Sequence, residues 1–113
     1  MVAPGLTQED RRFLAAYRDA LAYDFGDVVE RVIVFGSKAR GEATVESDLD
    51  ILVIVRSGDW RLKWNIADAA YGLAIGTSVV PSVKVYTHQE WEHLRQLGSE
   101  FYEAVVHDGV AAA

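Results

Sequence analysis

Two short apolar runs constrain this chain more than any other feature. Val32-Ile33-Val34-Phe35 and Ile51-Leu52-Val53-Ile54-Val55 contain no polar residue. Runs this short and this continuous predict strands buried on both faces, not amphipathic helices. A third run, Val79 to Tyr86, predicts another strand, with Pro81 near its start. Helical segments separate and flank them. Residues 7–24 carry Phe13, Leu14, Tyr17, Ala20 and Leu21 at helical spacing, with Thr7 and Asp10 set as a capping box and Gly26 as the stop. Trp60 to about Leu73 predicts a second helix. Thr87 with Glu90 caps a third, which runs to Gly98, and Ser99 to about His107 forms a short last one. Three strands with helices between them specify an α/β or α+β layered domain.

The length, 113 residues, fits one domain, residues 1–113. Half of the residues are hydrophobic and only two are proline, which excludes a disordered or low-complexity chain. The formal net charge of −6 excludes a non-specific nucleic-acid coat, which needs clustered lysine and arginine. There is no cysteine, hence neither a disulfide framework nor a thiolate metal site, and a cytoplasmic setting is expected. No apolar run approaches the length of a membrane span, and the first residues show no signal-peptide pattern. Ala111-Ala112-Ala113 reads as a short tail.

The chemistry sits between the first two strands, in Phe35-Gly36-Ser37-Lys38-Ala39-Arg40-Gly41 and Ser47-Asp48-Leu49-Asp50. Asp48 and Asp50 are two apart at a strand start, so alternation puts both carboxylates on one side. Two such charges repel, and a divalent cation resolves the conflict. Hard oxygen ligands favour Mg²⁺ or Mn²⁺. Gly36-Ser37 follows a strand and opens a helical turn. A glycine there lets phosphate approach the backbone, and the first amides of a helix offer an anion site. Ser37 adds a hydroxyl, and Lys38 and Arg40 add positive charge. Alone, a Gly-Ser turn is usually only a turn, and Asp-x-Asp is often a solvated strand end. Together, at adjoining strand ends, they are far more specific.

These residues resemble the signature of the DNA polymerase beta-like nucleotidyltransferase superfamily, and most of the chain resembles its minimal bacterial and archaeal members. The resemblance implies a small mixed sheet flanked by helices. It gives Gly36 and Ser37 the nucleotide phosphates, and Asp48 and Asp50 the metal pair. The implied reaction moves a nucleoside monophosphate from a triphosphate, ATP being the expected donor, to a hydroxyl and releases pyrophosphate. Minimal members often work beside a small helical partner of the HEPN type, as the antitoxin of a toxin–antitoxin pair, and some adenylylate a tyrosine on it. Self-association is left open.

Active members usually carry a third carboxylate on the next strand. Here that strand holds no Asp or Glu; Ser82, Lys84 and Tyr86 share one face. Lys84 is either a solvent-facing edge lysine or a cation beside the site, at a metal position or on phosphate. The loss of the acid supports an alternative reading, a weakened or inactive domain that acts by binding a helical partner. His88, His93 and His107 are isolated and read as surface or packing residues. Trp60, Trp64 and Trp91 read as core or interface residues. Glu42 and Glu46 read as solvated, either one able to lend a metal an oxygen.

Overall fold

The computed structural model describes residues 4–42, 44 and 47–112. Helix α1 (Gln8–Phe25) opens on the expected capping box. The Asp10 amide donates to Thr7 Oγ1 at 3.0 Å, and the Thr7 amide to Asp10 Oδ2 at 2.9 Å. A 3₁₀ turn, Gly26–Val28, leads into strand β1 (Val29–Phe35), and a five-residue helix α2 (Gly36–Arg40) follows at once. Strand β2 (Leu49–Val55), helix α3 (Trp60–Ala74), strand β3 (Pro81–Thr87), helices α4 (His88–Gln96) and α5 (Glu100–Asp108) and strand β4 (Val110–Ala111) complete the chain. Asp59 caps α3, accepting from the Arg61 and Leu62 amides at 3.1 Å each. Thr87 and Glu90 form the second capping box, and Ser99 caps α5.

The four strands make one mixed sheet in the order β3-β2-β1-β4. β1 is antiparallel to β2, with Phe35 opposite Asp50, and β2 is parallel to β3, with Asp50 opposite Ser82 and Leu52 opposite Lys84. The connection between parallel strands is α3, as such a crossover requires. Leu49, Ile51, Val53 and Val55 pack with α1 and α3 on one face of the sheet. Leu52 and Ile54 pack with Trp91 of α4 and Val105 of α5 on the other. The unbroken apolar run of β2 therefore has the two covered faces its composition demands.

Several expectations are corrected. The alanine tail is partly structure: Val110–Ala111 pairs with β1, and Ala112 is buried. Ala113 lies outside the described residues. β3 begins at Pro81 and not Val79, although Val79 is buried. Trp91 is core, but Trp60 and Trp64 are 68% and 60% exposed, because α3 turns Ile66 and Ala70 inward instead. Among the described residues no helix is long and apolar enough to cross a membrane.

Candidate active site

The site lies where β1 ends and β2 begins. Phe35 is extended, and the chain must then swing sharply into α2, so Gly36 takes a left-handed φ of 76°. A side chain at Gly36 is excluded twice. The left-handed backbone disfavours one, and a Cβ would collide with Asp50 Oδ2. The backbone of the Gly-Ser turn thus lies directly against the carboxylate of Asp50. Phe35 gives α2 no side-chain cap. No described residue hydrogen-bonds the Ser37 hydroxyl.

Asp50 is half-buried and Asp48 exposed. Burial holds the Asp50 carboxyl above the usual carboxylate range. The charge of Asp48 raises it further, while Lys84 and Arg40 pull it back. Asp48, Lys84 and Arg40 therefore all lie within electrostatic reach of Asp50. Arg40 already carries two carboxylate partners, Glu42 at 2.9 Å and Asp108 at 3.4 Å. Its own pKa is raised mainly by the hydrogen bond to Glu42.

Lys38 does not join this group. Its Nζ donates to Asp10 Oδ2 at 2.7 Å, and both side chains are buried. Successive residues of a helix turn by about 100°, so one short helix sends Lys38 to α1 and Arg40 toward α5. The buried acid partner was not visible in the sequence, where Asp10 is explained by its cap alone. Glu46 lies outside the described residues. Glu42 is taken by Arg40, His88 meets Glu30 at 3.1 Å, and His107 meets Asp108 at 2.7 Å. A cleft of about 380 Å³ between α1, β1 and β4, lined by Arg18, Gly26, Val32 and Ala112, contains neither Asp48 nor Asp50.

A family model described as nucleotidyltransferase domain matches residues 14–102, a span that includes the turn, both carboxylates and Lys84. The chain belongs to that family. This nucleotidyltransferase domain is of the polymerase beta-like kind. It is 33% identical over 76 residues to a candidate protein adenylyltransferase of Methanocaldococcus jannaschii, across 53% of this chain and 77% of the relative. The fold resembles that of a candidate nucleotidyltransferase from Sulfolobus solfataricus, with a TM-score of 0.57 at 20% identity, over 89% of this chain and 77% of that one. Nucleotidyltransferases of this family generally use a divalent metal. The donors present fit one such ion: Asp48, exposed, and Asp50, half-buried, offer hard oxygens. Among the described residues no third acid or histidine joins them.

Proposed function

We propose that this domain, as one minimal unit, transfers AMP from ATP to a hydroxyl on a partner protein. The contact between Gly36 and the Asp50 carboxylate carries this reading. It puts a backbone that phosphate can approach beside the oxygens that hold a metal. Gly36 and Ser37 bind the β- and γ-phosphates, and Arg40 adds positive charge at the edge. Asp48 and Asp50 hold one Mg²⁺ or Mn²⁺, which when bound neutralises triphosphate charge. The acceptor oxygen bonds to the α-phosphorus as the bond to the bridging oxygen breaks. Pyrophosphate leaves with that electron pair, and the acceptor proton passes to solvent. The relative named as a protein adenylyltransferase supports a protein acceptor. A small helical HEPN-type protein in the cytoplasm is the proposed partner.

One observation favours a second reading, in which the domain binds that partner without transfer: Lys84 is on the face of β3 where a third acid is expected. Labelled-ATP transfer to the partner separates the two. The enzyme reading predicts label on the partner that disappears with Asp48→Asn. Tight complex formation unaffected by Asp48→Asn, with no label from the wild type, establishes the binding module.

A further inference from the structure

Lys84 differs from the other cations near the site. Lys38 is locked to Asp10, and Arg40 is shared between Glu42 and Asp108. Among the described residues Lys84 makes no ion pair. Its position is nonetheless fixed by the sheet. Leu52 is opposite Lys84 and Asp50 is opposite Ser82, so Lys84 shares a sheet face with Asp50 and is its diagonal neighbour across the parallel pair. The backbone there is a regular ladder, not a loop, and Lys84 is exposed. The charge of Lys84 reaches Asp50.

We propose that Lys84 stands in for a second divalent cation, so that the site takes a nucleoside triphosphate with a single Mg²⁺ and Lys84 contacts the triphosphate directly. This deepens the nucleotide-binding reading above and rests on it. Two carboxylates and one ammonium leave one formal negative charge, which a single divalent ion more than balances. The surplus faces an incoming polyanion. An aspartate at the same position would leave three negative charges, and one divalent ion would no longer suffice. The side chain of Lys84 is part of the chain, so its share of the attraction for triphosphate persists without metal.

The test is ATP titration by calorimetry on the full chain, in EDTA and across a Mg²⁺ series, for wild type, Lys84→Arg, Lys84→Ala and Lys84→Asp. Melting curves check that each variant is folded, as expected for an exposed side chain. Wild type and Lys84→Arg should bind ATP measurably in EDTA. Lys84→Ala should lose about tenfold or more of that affinity, the scale of one charge-assisted hydrogen bond. Lys84→Asp should lose all of it and regain binding only with a steeper, two-ion dependence on Mg²⁺. Affinities of wild type and Lys84→Ala within twofold of each other in EDTA and throughout the Mg²⁺ series overturn the role of Lys84 and leave nucleotide binding standing. Failure of the wild type to bind ATP at saturating Mg²⁺ overturns the nucleotide reading itself, and this inference with it.

Discussion

Gly36 and Asp50 compete for one small volume, and the site depends on glycine yielding it. Gly36→Ala should fail on two counts, the left-handed backbone and the collision with Asp50 Oδ2. We expect a loss of about 1–3 kcal/mol in denaturant unfolding, together with lost ATP binding. Asp50 supplies a pH signature. Its carboxyl titrates above the ordinary range because burial and Asp48 disfavour its charge. The folded chain therefore holds this proton at pH values where the unfolded chain has released it. Stability from this group is present at low pH and is lost as pH rises through the raised pKa. Asp50→Asn removes the dependence. In metal-free buffer its melting temperature should exceed that of the wild type, by a margin that widens from about pH 4 to about pH 7. A constant margin would show that Asp50 is not the group responsible.

At the scale of elements, α1 and α2 are joined by the buried pair of Asp10 and Lys38, and the Gly5 amide donates to the Lys38 carbonyl at 2.8 Å. Breaking one partner strands a buried charge. Lys38→Met should cost about 3–5 kcal/mol in urea unfolding, and Asp10→Asn added to it should recover part of that loss. If Lys38→Met is neutral, the pair does not hold the turn in place. Lys38 also shows where sequence reading stops. Its neighbours in the motif suggested a nucleotide contact, but the direction of one side chain on a five-residue helix depends on which element packs beside it. Elements with local signals were legible: the capping boxes at Thr7 and Thr87 gave helix starts, and the apolar runs gave β1 and β2. β4 was not, since Val110 and Ala111 have no pattern of their own and are defined only by pairing with distant Ile33 and Val34.

At the scale of the molecule, β4 guards one edge of the sheet. Deleting residues 110–113 would uncover the β1 backbone, including the Val32 carbonyl that accepts from the Ala112 amide at 2.9 Å. We expect a loss of about 2 kcal/mol, from a few backbone hydrogen bonds. We also expect concentration-dependent association through the bared edge, read by light scattering. Unchanged melting and scattering would make β4 dispensable. The candidate site was more legible than the sheet order because Gly36, Ser37, Asp48 and Asp50 are near neighbours in sequence. Lys84 reaches them only through the register of β2 with β3. That division makes the site modular. Gly36 and Asp50 meet within one stretch of chain, and Lys84 comes to them from a separate strand. On the proposed role of Lys84, a single codon change on β3 would reset the charge beside Asp50 without altering the Gly36 turn.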